Sequence, residues 1–205
     1  MIVKNEPIIL LKTQLKSNFL LSFEEEKQLD LVFDKVFSKV DFCFTKTRNK
    51  YYHENGVAIF NALHSGQYTI FLYFVSVLVS GFNKDLADKV YYLNRMMNSV
   101  DLFYEVKLPN YFELDHPLGS VLGRGCYGEG FKFSQGCTVG NNKGVYPIIG
   151  DNVIMMSNSK VIGSSKVGSN VILSANTYIK DTNIPNDTVV FGQSPNLVFK
   201  SNQNI

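Results

Sequence analysis

The sequence predicts an α+β protein in which a helical first half is followed by a parallel β-helix of hexapeptide repeats. Three observations point there. Glycine is scarce early in the chain: of 15 in all, only Gly56, Gly66 and Gly81 precede residue 100. Apolar residues in that half recur at helical spacing. Beyond it they recur every six positions, a period that fits neither an α-helix nor an alternating strand. A boundary at residue 104 divides the chain into a helical domain, 1–104, and a repeat domain, 105–205.

In the helical half, Ser22 and Glu25 are spaced as a capping box, in which each side chain satisfies a free backbone N–H of the first turn. Leu29, Val32, Phe33, Val36, Phe37 and Val40 follow on one helical face, with Lys27, Asp34 and Ser38 on the other. A second helix starts near Gln67. Its apolar run from Tyr68 to Phe82 contains Ser76, Ser80 and Gly81. That run falls short of the roughly 20 residues that cross a bilayer, so it reads as a buried core helix. A third helix starts at Asn83, a capping residue, with Leu86, Val90, Leu93 and Met97 as its apolar stripe. Thr45 to Asn61 has no clear period and reads as a loop with short turns.

In the second half, Ile149, Met155, Val161, Val167, Leu173 and Ile179 stand six apart. Three residues after each comes Asn152, Asn158, Ser164, Asn170, Asn176 and Thr182, then Val153, Ser159, Ser165, Val171 and Thr177, with Asn183 as the exception. Each unit reads as one short strand and one corner. The aliphatic residue points inward, and the corner takes a positive φ that Asn tolerates. Inward positions beside the corner have room only for Val, Ser or Thr. Three units close a coil of about 18 residues, the grammar of a hexapeptide β-helix. Phe133 and Val139 extend the phase backwards, and the four extra residues Asn142 to Val145 interrupt it.

Composition excludes several functions. A formal charge of +2 offers no electrostatic footprint for nucleic acid. Cys43, Cys126 and Cys137 form no CxxC pair and read as reduced, buried thiols of a cytoplasmic protein. Three histidines without matching cysteine or carboxylate spacing imply no metal site. Pro7 to Leu11 is too short for the apolar core of a secretory signal and is followed by a lysine.

A finer pattern lies upstream of the repeats. Val100-Asp101-Leu102, Lys107-Leu108, the run from Leu114 through Asp115, His116 and Pro117 to Gly123, Thr138-Val139-Gly140, and Phe191 to Pro195 stand in order. Over about residues 83–200 the chain thereby resembles the bacterial serine acetyltransferases of the hexapeptide-repeat acyltransferase superfamily. That family carries V-D-I, K-I-G, L-D-H-A-T-G-I-V-V-G, T-L-G and G-x-P-A at similar spacing. The resemblance implies a left-handed winding of the β-helix, acetyl-CoA as co-substrate and no metal. It also implies a homotrimer, which could pair into a dimer of trimers.

The resemblance assigns roles residue by residue. The family's catalytic histidine falls on His116, and the aspartate that orients it on Asp101. The aspartate that contacts substrate falls on Asp115. Ser157 and Ala175 fall beside the pantetheine arm of CoA, with Gly140 and Asn141 near the thioester. The chemistry agrees: a hydroxyl needs a base to become a nucleophile at neutral pH, and imidazole supported by a carboxylate provides one. Tyr146 and His64, the latter beside Ser65 and Gln67, are further candidates to line the acceptor pocket.

One departure bears on the acceptor. Where the family reads G-D-R-H-P, this chain reads Gly144-Val145-Tyr146-Pro147, in a loop about three residues shorter. Valine cannot replace an arginine fork on a carboxylate. The expectation is therefore an acetyltransferase acting on a hydroxyl or amine of a sugar, in surface-polysaccharide or nucleotide-linked sugar synthesis. The alternatives are a serine O-acetyltransferase of cysteine biosynthesis with an altered loop, and a non-catalytic β-helix scaffold.

Overall fold

The computed structural model describes residues 1–203. The chain divides into two compact units, Met1–Tyr104 and Glu105–Ile205.

The first unit holds five helices among its described residues: α1 (Pro7–Asn18), α2 (Phe23–Asp30), α3 (Phe33–Lys46), α4 (Ser65–Val79) and α5 (Lys84–Asn98). The capping box at α2 is formed, with Ser22 Oγ accepting from Glu25 N at 3.2 Å and Glu25 Oε2 accepting from Ser22 N at 2.8 Å. Helix α4 is buried along most of its length, and Phe71 packs against Phe33, Phe37, Phe60 and Tyr68. No helix among the described residues is long and apolar enough to cross a membrane.

Three expectations need correction here. The amphipathic run from Leu29 to Val40 is not one helix, because the chain turns at Leu31–Val32 between α2 and α3. Asn83 caps α5 as expected, accepting from Leu86 N at 3.0 Å, but Met97 is exposed and Asn94 is buried in the helix interface instead. The stretch Thr45 to Asn61 is more than loop. It ends α3 and then forms a hairpin of His53–Glu54 with Val57–Asn61, whose second strand pairs in parallel with Ile2–Lys4. Asn55 and Gly56 both have positive φ, 53° and 78°, as a two-residue hairpin turn requires.

The second unit is a parallel β-helix of about five coils with three faces. One face stacks Cys126–Tyr127, Ile148–Ile149, Lys166–Val167 and Asn183–Ile184. The next stacks Phe112–Asp115, Phe131–Ser134, Ile154–Met155, Ile172–Leu173 and Thr188–Gln193. The third stacks Val121–Leu122, Thr138–Gly140, Lys160–Ile162 and Tyr178–Lys180. All six residues of the hexapeptide series are buried, as are Phe133 and Val139. A single coil cannot bury its own interior, so stacking supplies the core.

Register confirms the four-residue insertion. Partners stand 18 residues apart at Ile148↔Lys166, Ile154↔Ile172 and Lys160↔Tyr178, but 22 apart at Cys126↔Ile148, Lys132↔Ile154 and Thr138↔Lys160. Asn152, Asn158, Asn170 and Asn176 take the expected left-handed φ of 54–62°. Ser164 and Thr182 do not. At that corner the left-handed residue comes one position earlier, Gly163 at 73° and Asp181 at 50°. The last coil is also one residue short, since Val167 pairs with Ile184. Ile184 is therefore the buried residue, and the irregular Asn183 is exposed. Among the cysteines, Cys43 and Cys137 are buried as expected, but Cys126 faces outward.

Candidate functional site

His116 ends the strand Phe112–Asp115 and enters a corner in the left-handed conformation, φ 50°, which is sparsely populated for a residue with a Cβ. The turn is closed by Leu118 N donating to His116 O at 2.8 Å and Ser120 N to Pro117 O at 3.1 Å. The effect is to swing the imidazole outward. Its side chain is 86% exposed, and Nε2 lies 3.8 Å from Asp115 Oδ1.

The coil register places three of the candidates in line. Asp115 pairs with Ser134, Lys132 with Ile154, and Ile154 with Ile172. His116, Gln135, Ser157 and Ala175 therefore occupy equivalent positions on successive coils, along one corner ridge. Coils stack at about 4.8 Å, so Ser157 lies roughly 10 Å and Ala175 roughly 14 Å along the ridge from the histidine. Both are small, and Ala175 is exposed. Beyond Gln135, which stands between them and the imidazole, the ridge thus carries small side chains.

Gly140 and Asn141 lie at the following corner, at the far end of the face carrying Thr138–Gly140. Gly140 pairs with Ile162, and a Cβ there would press on Ile162 Cδ1 at 3.3 Å. Beyond it the inserted residues form a tight hairpin. Asn142 and Val145 exchange backbone hydrogen bonds at 3.0 Å in both directions, and Lys143 and Gly144 between them take φ of 51° and 79°. Asn141 Oδ1 accepts from Gly144 N at 3.3 Å. Val145 and Tyr146 are both partly open to solvent. The structure therefore does not gather these residues with His116, since one strand-length, about 15 Å, separates the two corners.

Asp101 and His64 belong to the first unit. Asp101 follows α5 and is held from that helix: Tyr91 Oη donates to its Oδ1 at 2.7 Å, and Arg95 Nε lies 3.7 Å from its Oδ2. Tyr91 and Arg95 are one helical turn apart, so both reach the same carboxylate. Burial and then the Asp101 hydrogen bond push the Tyr91 phenol up to about 12. His64 is the N-cap of α4, its Nδ1 accepting from Gln67 N at 3.3 Å, and its ring packs edge-on against Tyr52. That accounts for this histidine as a structural cap.

Three residues escaped sequence reasoning. Tyr91 and Arg95 could have been found by asking which residues of the third helix face its C-terminal exit. Asp181 could not, because its partner Asn142 lies 39 residues away across an insertion. No group of three or more potential metal ligands occurs among the described residues.

No protein-family profile matches the chain. It is 31% identical over 118 residues to a serine acetyltransferase of Staphylococcus epidermidis, covering 55% of each chain. It is 30% identical over 105 residues to a serine acetyltransferase of Staphylococcus aureus, covering 49% of each. The chain thus spans about half the length of the relatives it matches. Among solved structures, it superposes on Neisseria gonorrhoeae serine acetyltransferase with a TM-score of 0.74 and 20% identity, covering 95% of this chain and 78% of that one. A serine acetyltransferase in complex with CoA gives a TM-score of 0.72 at 16% identity, covering 95% and 83%.

Proposed function

We infer, from a chain that carries the serine acetyltransferase fold, that it transfers an acetyl group from acetyl-CoA to a hydroxyl, with His116 as general base. The observation that carries this reading is the ridge on which His116, Ser157 and Ala175 share one register position. An extended pantetheine chain fits a track lined by small side chains, and it would present its thioester toward the exposed imidazole. Gly140 and Asn141 are proposed near the thioester, on the facing wall of such a cleft.

In this reading His116 takes the acceptor proton as the oxygen attacks the thioester carbonyl. The C–O bond forms, the tetrahedral intermediate collapses with loss of the C–S bond, and the imidazolium returns the proton to the departing thiolate. No covalent enzyme intermediate is required, because the thioester is already activated. Asp101 is the proposed carboxylate partner of the imidazole, and Asp115, 3.8 Å from it, a proposed contact for the acceptor.

For the acceptor we now favour L-serine over the sugar expected from the sequence. The relatives and fold neighbours described above are serine acetyltransferases, which outweighs a single loop difference. Val145 alone favours the second reading, an acceptor without a carboxylate. Assembly as a trimer is part of the proposal: the His116 ridge and the Asn141–Pro147 loop lie at different corners of one coil, and a neighbouring copy would bring the two together.

The test is thiol release from acetyl-CoA with L-serine, amino sugars and nucleotide sugars as acceptors. Turnover with L-serine supports the first reading, and turnover with sugars alone would replace it by the second. No release with any of them would return the chain to a binding scaffold.

A further inference from the structure

Asp181 is a left-handed corner residue, φ 50°, and its side chain reaches back to the preceding coils. Its Oδ1 accepts from Ser164 N at 2.8 Å and from Ser164 Oγ at 3.1 Å. Its Oδ2 accepts from Asn142 Nδ2 at 2.6 Å. Asn142 opens the inserted hairpin, so a single carboxylate ties that hairpin to two coils. Gly163 lies between them, and a Cβ there would collide with both Asp181 Oδ1 and Asn142 Cβ. Gly163 also has φ 73°, so the position favours glycine twice over.

We propose that Asp181 is the positioning residue of the Asn141–Pro147 loop, holding it in one conformation so that Tyr146 is preset for acceptor binding. This deepens the acetyltransferase reading and rests on it for its kinetic consequence. The hairpin has only two turn residues and two backbone bonds of its own, and isolated two-stranded hairpins are marginal in water. Charge-assisted bonds to a carboxylate are stronger than neutral ones, and this one spans the point where the repeat register is interrupted. The loop is then a rigid wall rather than a gate. Presetting it removes the ordering cost that a mobile loop would charge to each binding event.

The pair can be tested by exchange of its two groups. In Asp181→Ala, amide hydrogen exchange across residues 141–147 should quicken about tenfold or more, while the strands from 149 to 179 keep their protection. The KM for the acceptor should rise by about tenfold with kcat changed by less than about threefold, the pattern for lost binding that is equal in ground and transition states. Asn142→Asp should do the same, because it sets two carboxylates face to face. The double variant N142D/D181N should restore both readouts: the amide at position 181 donates to the carboxylate at 142, and its oxygen still accepts from Ser164. Wild-type exchange in Asp181→Ala, or a double variant no better than the singles, would overturn the proposal. If the wild-type protein released no thiol with any acceptor, the acetyltransferase reading would fall. The exchange arm alone would then decide whether Asp181 holds the loop.

Discussion

Tyr91 donates its phenolic proton to Asp101 across 2.7 Å, from a helix that ends three residues before the aspartate. With Arg95 near the other oxygen, the carboxylate is held from the helix on both sides. Tyr91→Phe should lower kcat by about three- to tenfold, the loss of one hydrogen bond to a charged group with Arg95 retained. In an Asp101→Ala background the same change should have no further effect. Additive losses in a double-mutant cycle would show that Tyr91 acts elsewhere.

His116→Ala should reduce kcat by about 10²–10⁴-fold, the usual contribution of a general base. Acetyl-CoA affinity, measured by direct titration, should stay within a few-fold, because the imidazole acts on the acceptor proton. Wild-type turnover at saturating acceptor would remove His116 from the mechanism.

Val145→Arg restores the side chain that the resemblance places in this loop. With L-serine as acceptor, its KM should fall by about tenfold, since an arginine–carboxylate contact contributes about 1.5–3 kcal/mol when well aligned. KM for an acceptor lacking a carboxylate should not improve. An unchanged KM for L-serine would mean that the shortened hairpin holds position 145 outside the acceptor site.

Asp181 has its carboxyl held below the ordinary value of 3.8, first by the Ser164 backbone N–H and then, against some desolvation, by Asn142 and the Ser164 hydroxyl. The folded value is depressed, so the contribution is present above the ordinary value and is lost as pH falls through the folded one. Exchange protection of the 141–147 amides should therefore be flat from neutrality to about pH 4 and fall only below that. In Asp181→Asn, protection should show no such acid transition.

The repeat half was legible because its physics is periodic. Each buried position faces its equivalent one coil away, so Ile149 through Ile179 declare themselves in the sequence without knowledge of any long-range partner. The corner at Ser164 was misread for the same reason: Gly163 and Asp181 take the left-handed turn one residue early, and a fixed period cannot show that. The sheet of Ile2–Lys4 with Val57–Asn61 was missed because its strands are short and more than fifty residues apart, although Asn55-Gly56 is a strong local hairpin signal. Within the candidate site, His116, Ser157 and Ala175 were named from resemblance, and their common ridge follows from register. Asp181 makes its contact with Asn142 through folded geometry, which the sequence alone does not reveal.

The chain after the last coil has a consequence for solubility. Thr188–Gln193 completes the stack in parallel, but Asn196–Ser201 then returns antiparallel along it, from Gln193↔Asn196 to Thr188↔Ser201. A parallel β-helix is an open-ended template: its terminal coil offers unpaired N–H and C=O groups to any strand that could continue the stack, including the first coil of another molecule. A reversed final strand carries the wrong polarity for that continuation, and Lys200 adds a charge to it. Deleting residues 195–205 should leave the coils through Ile184 folded while exposing the edge of Thr188–Gln193. The shortened protein should then form concentration-dependent fibrous aggregates that bind a cross-β dye, where the full chain stays dispersed at the same concentration.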